Sequence, residues 1–213
     1  MKTKTALILH LLTIRIGFSQ GFVNLDFEGA EITGNLNGHE IQATNAFPCW
    51  TVSAGLVYYN DFSLSGGSIS IIDTNSMMSY SPPQGNYYAF IFAANYAPDL
   101  YSISIGQTGQ IPVSAQSVTF WGTLGGMQAT FNGQPIDFLV TGSTANYTIY
   151  SADISAYAGQ TGQLLFTLPP NVDGDYAILD NIQFSTTAVP EPGPFALAAL
   201  GTLLLGFRRW RSA

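Results

Sequence analysis

The chain has 213 residues, of which 46% are hydrophobic and 9% are charged, and this composition excludes an ordinary disordered chain. Its net charge of −7 is unevenly distributed, because no Lys or Arg lies between Arg15 and Arg208. A body without cations cannot neutralise phosphates, so we expect no nucleic-acid partner. A single cysteine, Cys49, excludes an intrachain disulfide and any metal site built from several cysteines.

Residues 1–19 have the pattern of a secretory signal peptide. Lys2 and Lys4 precede a short apolar run over 6–14, and small residues occupy the positions before a cleavage site after Ser19. A buried N-terminal strand or helix is the alternative explanation of the apolar run. The pattern favours a cleaved signal peptide and therefore an exported protein.

The segment 20–187 is predicted to form one all-β domain. Short β-rich segments alternate with clusters of Gly, Pro, Asn and Ser, and 68–71 and 102–105 alternate strictly between serine and isoleucine. The turn at 132–135 predicts a hairpin. Regular short strands with turn signals favour a β-sandwich or barrel. The predicted strands are 22–28, 68–72, 87–93, 101–105, 117–122, 127–131, 136–140, 146–150, 163–168 and 176–184.

Several motifs of this segment resemble those of exported jelly-roll domains. An Asn-x-x-Phe-Glu sequence at 24–28 is followed by Pro-x-Trp at 48–50, and a Leu-Asp-Asn-Ile sequence closes the domain at 179–182. The segments 107–121 and 153–166 are similar to the middle and late strands of such domains. The resemblance is to galactose-binding-like, carbohydrate-binding-module sandwiches, and it implies a jelly-roll β-sandwich.

Calcium is the cofactor that these residue types allow. Because the body has no Lys or Arg, a buried carboxylate there must accept hydrogen bonds, stay protonated or meet a metal ion. The resemblance to carbohydrate-binding modules implies a structural Ca²⁺ between the first and last strands, held by Glu28, Asp26 and Asp180. A solvated acidic surface with Asp residues in turns is the alternative.

Tyrosines suggest sugar binding by aromatic stacking, because a Tyr ring offers an apolar face with a polar rim. We take Tyr58, Tyr59 and Tyr96 as the candidate residues for stacking on a neutral polysaccharide. The alternative is that strands are normally rich in tyrosine. The wider set near predicted strand edges and loops is Tyr58, Tyr59, Tyr80, Tyr87, Tyr88, Tyr96 and Tyr101.

No residue pattern selects a catalytic site. His39 and Cys49 could form a catalytic pair only with a third group and a cleft, and the pattern favours a solvated loop histidine and a buried cysteine. The acidic residues of the body form no local motif of a glycosidase. We therefore expect no enzyme, with a polysaccharide-active enzyme as the least favoured alternative.

The C-terminal segment 188–213 has the form of a targeting signal. A Pro-Glu-Pro break precedes an apolar helix predicted at about 194–207, and an arginine cluster ends the chain. A helix docked on the domain is the alternative, although the run is apolar on all faces. The residues that carry the sorting pattern are Val189, Pro190, Glu191, Pro192, Arg208, Arg209 and Arg211.

This pattern resembles the PEP-CTERM sorting tail of Gram-negative bacteria. The resemblance implies an exosortase-type sorting protease as a partner and transient anchoring in the inner membrane through the helix. It implies a final location at the cell surface or outside the cell. We expect a non-catalytic glycan-binding or matrix component of the envelope or extracellular polysaccharide, with a passive structural or adhesive protein as the first alternative.

Overall fold

The computed structural model describes the body of the chain. The described residues are 21–33, 39–53, 57–63, 67–76, 80–93, 102–170 and 175–189. The predicted signal peptide and the sorting tail beyond Val189 lie outside these ranges, as does Tyr96. Among the described residues, no helix has the length and apolar character needed to cross a membrane, and the predicted helix at 194–207 lies outside them.

Almost all regular structure in the described residues is β-strand, as predicted. The elements are β1 His39–Glu40, α1 Ala43–Ala46, β2 Thr51–Ser53, β3 Val57–Tyr59, β4 Ser68–Asp73, β5 Tyr87–Ala93, β6 Ile103–Gln110, β7 Ser117–Thr123, β8 Gln128–Phe131, β9 Gln134–Ile136, β10 Leu139–Ser143, β11 Thr148–Asp153, a 3₁₀ turn Ser155–Tyr157, β12 Thr161–Leu168 and β13 Asp175–Ser185.

The strands form two sheets. The large sheet has eight strands in the order β1-β3-β4-β5-β13-β7-β11-β10, and the small sheet has five in the order β2-β6-β12-β8-β9. The pairing of β3 with β4 is parallel, whereas the other strand pairs are antiparallel. Strands distant in sequence therefore become neighbours, as where β13 lies between β5 and β7.

The inner faces of the two sheets share one hydrophobic core. Ile69 and Ile71 enter it from the large sheet, and Ile103 and Ile105 enter it from the small sheet, each almost fully buried. The predicted serine–isoleucine alternation is thereby confirmed, because a strand directs successive side chains to opposite faces. The two sheets form a β-sandwich around this core.

The predicted strand at 22–28 is wrong. The segment makes one bridge, from Gly21 to Gln110, and then turns. Asn24 and Phe27 adopt φ of 50° and 58°, which strands do not allow. These turns bury Phe27 completely and place the carbonyl of Asn24 2.8 Å from the indole nitrogen of Trp50. Tertiary packing of the aromatic ring therefore overrides the β pattern.

The predicted strand at 136–140 is also wrong as a single element. Strand β9 ends at Ile136 in the small sheet, and β10 begins at Leu139 in the large sheet. The chain crosses between the sheets at this point. The predicted hairpin just before it is confirmed, because Asn132 and Gly133 have φ of 49° and 76°, the left-handed pair that a two-residue hairpin turn needs.

The large sheet is also apolar on part of its outer face. In β5 the side chains of Ala89 and Ile91 enter the inner core, whereas Phe90 and Phe92 point the other way. We call the residues packed on this face the outer cluster. It consists of the buried Ile72, Tyr88, Phe90, Tyr147 and Ile178, with the half-buried Phe62, Phe92 and Tyr176 packed against them.

Candidate functional site

Aromatic rings lie close together on the outer face of the large sheet. Phe62 and Phe92 are 5.0 Å apart between ring centroids, and Phe90 stacks on Tyr176 at 5.5 Å. The hydroxyls of Tyr176 and Tyr80 are 2.8 Å apart, and Tyr80 is 36% exposed. We call these five residues the outer aromatic face. Here the exposed Tyr80 contacts the other aromatic rings through Tyr176, whose ring centroid lies 6.1 Å away.

A buried carboxyl lies beside this face. Asp180 follows Tyr176 and Ile178 at the two-residue spacing of the outward face of β13, and it is fully buried. Its oxygens accept hydrogen bonds from the backbone N–H groups of Gln84, at 2.9 Å, and Asn181, at 2.6 Å. Burial raises the pKa of Asp180 to about 8, although these two hydrogen bonds oppose the increase.

Two further carboxylates contribute to this environment. The charges of Glu28 and Asp26 add to the raised pKa of Asp180, so the three groups lie in one neighbourhood. Ile182 also donates its N–H to the carbonyl of Leu25 at 2.9 Å. The N-terminal segment therefore packs beside the last strand, in the place that the resemblance implied.

Glu28 holds the loop that covers Asp180. Its Oε1 accepts the N–H groups of Asn86 at 2.6 Å and Tyr87 at 2.9 Å, and its Oε2 accepts the side-chain amide of Asn86 at 2.8 Å. Gly85 has φ of 64°, and a side chain there would collide with the Glu28 carboxylate. The Glu28 carboxylate therefore accepts the backbone N–H groups of the turn that leads into β5, in place of a backbone carbonyl.

The geometry of the three carboxyl groups gives evidence both for and against the predicted calcium site. The charges of Glu28 and Asp26 raise the pKa of Asp180, but no three His, Cys, Asp or Glu side chains in the described ranges form a group that could hold a metal ion. Glu28 and Asp180 are instead supplied with N–H donors, and the raised pKa of Asp180 is that of a carboxyl which keeps its proton near neutral pH. Calcium stays a prediction.

The predicted stacking tyrosines have different environments. Tyr59 is 8% exposed and belongs to the inner core, so its ring offers no free face to a sugar. Its hydroxyl donates to Asp73 at 2.6 Å. Tyr58 is half-buried and pairs with Ser70, on the outer face of the large sheet. Tyr96 lies outside the described residues.

Asp73 is the centre of a polar network at the edge of the core. Burial favours its neutral form, but hydrogen bonds from Tyr59, Asn60 and Asn75 outweigh burial and lower the pKa of Asp73. The carboxylate thus remains charged without a cation. This network gives the Tyr59 hydroxyl a structural partner, and the role of Tyr59 in stacking stays a prediction.

The two residues considered for catalysis, His39 and Cys49, are both exposed. Cys49 is exposed, which corrects the expectation of a buried thiol, because φ of 69° directs its side chain out of the Pro48–Trp50 turn. His39 is exposed in β1.

A cleft of about 500 Å³ lies where the chain leaves the sandwich, and Asp137, Asp153, Tyr157 and Val189 contribute to its lining. The N–H of Ser155 donates to Asp153 at 2.8 Å and lowers its pKa. A general acid of a glycosidase needs the opposite shift. The cleft therefore offers no support for the glycosidase alternative.

Sequence reasoning missed most of the outer aromatic face. Tyr80 is one of seven candidate tyrosines but not among the three preferred, Tyr176 belongs only to the predicted strand 176–184, and Phe62 is not singled out by the sequence. A usable signal is present in β5, where Tyr88, Phe90 and Phe92 alternate with the small or aliphatic Ala89 and Ile91. A strand with large aromatic side chains on one face and apolar side chains on the other is apolar on both faces, which indicates that both faces are covered.

Comparisons with known proteins show a distant likeness to two solved structures. The first is TmCBM61 in complex with β-1,4-galactotriose, with a TM-score of 0.45 and 16% identity, covering 78% of this chain and 97% of that chain. The second is the K2 cleaved adhesin domain of Lys-gingipain, with a TM-score of 0.41 and 12% identity, covering 75% and 95%. No family model and no curated protein matches the chain. Likenesses this weak assign no function, so the proposals below rest on the residues.

Proposed function

We propose that this protein is an exported, non-catalytic glycan-binding component of the cell envelope or extracellular polysaccharide, built on a jelly-roll sandwich. The observation that carries the proposal is the outer aromatic face. Tyr80 is 36% exposed, its ring centroid lies 6.1 Å from that of Tyr176, and Tyr176 in turn stacks on Phe90. A rigid aromatic surface with a hydroxyl rim suits the apolar face and equatorial hydroxyls of a pyranose ring.

The negative charge of the body favours a neutral polysaccharide as the ligand. All thirteen acidic residues of the chain lie between Arg15 and Arg208, where no Lys or Arg occurs. An anionic polysaccharide would therefore be repelled at low ionic strength, where screening is weak. Neutral polysaccharides carry no such penalty.

Affinity electrophoresis of the purified full chain tests the proposal. We expect soluble β-1,4-galactan, galactomannan or mixed-linkage β-glucan to retard the protein, and alginate to leave it unretarded. Tyr80→Ala should weaken the retardation about tenfold or more, as for an exposed aromatic anchor. Val113→Ala is the matched control, because Val113 is 80% exposed between β6 and β7. Mobility unchanged by every neutral polymer would contradict glycan binding.

Export and sorting are the second part of the proposal. The basic and apolar pattern of residues 1–19 and the Pro-Glu-Pro, apolar and arginine pattern of 188–213 support a route through an exosortase-type protease. In this route the helix anchors the chain in the inner membrane before processing, and the body ends at the surface or outside the cell. Fractionation of cells that express the chain with and without residues 190–213 tests it, since only the complete chain should be sorted.

One observation favours the alternative of a passive structural protein. Of the four strands at the sheet edges, β1 has two residues and ends at Glu40, β2 has three residues, and β9 contains Pro135. Strand β10 has five residues without charge or proline, and Leu139 and Val140 are 53% and 66% exposed. A bulge at Thr141 is its protection. Such an edge can pair with a second copy of the chain.

Sedimentation velocity over a range of protein concentrations distinguishes this alternative. If β10 joins two copies, Val140→Lys should shift the protein toward the monomer, because lysine on an edge strand opposes further pairing. Val113→Lys, which adds the same charge at another exposed valine, should leave association unchanged. A monomer at all concentrations would remove this alternative without affecting the glycan proposal.

A further inference from the structure

The segment 80–86, which we call the entry loop, begins with the exposed tyrosine of the outer aromatic face and leads into β5. Side-chain carboxyl groups hold it in place. Gln84 donates its N–H to Asp180 at 2.9 Å, and Glu28 accepts the last two N–H groups before and at the start of β5, together with the side-chain amide of Asn86, at 2.6–2.9 Å. No N–H group of the loop donates to a backbone carbonyl of the described residues. The position of the loop therefore depends on these side chains.

Two prolines make the entry loop stiff between Tyr80 and the end that the carboxyl groups hold. Pro82 and Pro83 each fix φ at about −65°, and the residue before each proline is restricted to extended conformations. At the far end of this stiff link, the Tyr80 hydroxyl lies 2.8 Å from that of Tyr176. A change in the position of residues 84–86 therefore moves Tyr80 relative to Tyr176.

The Glu28 carboxylate determines the path of the loop at Gly85. This glycine has φ of 64°, a conformation that glycine adopts without steric cost. A Cβ atom on Gly85 would collide with the Glu28 carboxylate. The same carboxylate thus pairs the N–H donors of the turn and fills the space that a side chain would need. Glu28 lies 58 positions before Asn86 in the sequence, so the support for the loop comes from a distant part of the chain.

We propose that Glu28 is a positioning residue of the glycan-binding site, which holds Tyr80 against Tyr176 through the entry loop without touching the saccharide. This inference rests on the proposed glycan-binding function and adds a residue to it. A loop that is ordered before the ligand arrives does not lose conformational entropy on binding, and this raises the affinity. Without the Glu28 carboxylate, the saccharide itself has to order the loop, and the affinity falls.

Substitutions of Glu28 in the full chain test this role by affinity electrophoresis in the neutral polysaccharide that retards the unsubstituted protein. Glu28→Ala removes all acceptors of the turn and should weaken binding about tenfold. Glu28→Gln keeps the size of the side chain and one oxygen acceptor, and the Asn86 amide can rotate to accept from it, so binding should stay within about threefold. Rescue by glutamine separates positioning from metal binding, because glutamine lacks the charge of a carboxylate ligand.

Gly85→Ala disrupts the same contact from the side of the loop. Its Cβ atom displaces the Glu28 carboxylate, so this variant should also bind about tenfold more weakly. Gly133→Ala is the matched control, because Gly133 has φ of 76° and open space where a Cβ atom would lie. Both alanines carry the strain of a positive φ and should lower the melting temperature, but only Gly85→Ala should lose affinity.

The outcomes separate this inference from the proposed function. If Glu28→Ala binds as the unsubstituted protein does, at a temperature where both are folded, the inference is overturned and glycan binding stands. The same holds if Glu28→Gln binds as weakly as Glu28→Ala, or if Gly85→Ala and Gly133→Ala lose affinity equally. If no neutral polysaccharide retards the unsubstituted protein, the proposed function falls and the inference falls with it.

Discussion

The inner core and the outer cluster are both packed with large side chains, but they differ in how polar groups are satisfied. In the inner core, Gln107 accepts the N–H of Val23 at 2.7 Å and donates to its carbonyl at 2.9 Å. On the outer face, Ser70 and Tyr147 bury hydroxyls without partners in the described part of the chain. An unpaired buried polar group lowers stability. The inner core therefore pairs the polar side chain that it buries, whereas the outer face keeps two unpaired buried hydroxyls that lower the stability of the protein.

The largest expected effect is in the inner core. Phe120 is fully buried and lies 6.1 Å from Phe166 of the opposite sheet. Phe120→Ala should lower the free energy of unfolding by about 3–5 kcal/mol, because it removes the buried ring and leaves a cavity between the sheets. Denaturation by urea measures this loss.

Phe92→Ala sharpens the comparison on the other face. Phe92 is half-buried in β5, with its ring 5.0 Å from that of Phe62. Its loss should cost about 1–2 kcal/mol, since less apolar area leaves water when this side chain packs, but it should weaken binding to a neutral polysaccharide. Equal losses of stability for the two variants would show that the outer cluster is as important to the fold as the inner core.

The next effect is a pH dependence from Asp180. Its pKa of about 8 lies above the ordinary value of 3.8, so the folded state binds the proton more tightly than the unfolded state. The stability that this group contributes is complete below its unfolded pKa and is lost as pH rises through its folded pKa. In buffer with a chelator, the free energy of unfolding should fall by up to about 1.4 kcal/mol per pH unit between pH 5 and 8.

Calcium reverses this expectation if it binds at Asp26, Glu28 and Asp180. A cation favours the ionised carboxylate, so binding would release the proton and remove the loss of stability at higher pH. Millimolar CaCl2 should then raise the melting temperature most at about pH 8, where a ligand that binds only the folded state stabilises it by mass action. Identical pH profiles with calcium and with chelator would remove the calcium prediction and leave that for Asp180 intact.

A further effect concerns Tyr59. Tyr59→Phe removes the donor that lies 2.6 Å from Asp73, and it should cost about 1.5–3 kcal/mol, because hydrogen bonds to charged groups exceed neutral ones. The lowered pKa of Asp73 stabilises the protein above the ordinary pKa of a carboxyl. This contribution is lost as pH falls below it, so the variant should show a smaller loss of stability in acid.

Tyr59→Phe also tests whether the Tyr59 hydroxyl contributes to sugar binding. Because the ring is buried in the inner core, binding to a neutral polysaccharide should remain unchanged. Weaker binding by this variant, with normal unfolding, would place the Tyr59 hydroxyl in the binding site and would contradict the division between the two faces.

Several features follow from local sequence because their physical cause is local. Serine and isoleucine alternate at 68–71, so one face of that strand had to be buried and the strand could be placed without a structure. Asn132 and Gly133 adopt positive φ easily, so the hairpin after β8 could also be placed. The absence of cations between Arg15 and Arg208 determined that every buried carboxylate needs another form of stabilisation.

Other features depend on contacts between distant parts of the chain. Gln84 donates its N–H to Asp180, and these two residues are 96 positions apart in the sequence. Tyr80 and Tyr176, whose hydroxyls are in contact, are also 96 positions apart. Periodicity shows that a strand has two faces but not which loop will cover the second one. For this reason the sequence could name Tyr80 as one tyrosine among seven, whereas only the tertiary structure decided that Tyr80 is exposed beside Tyr176 and that Tyr59 is buried.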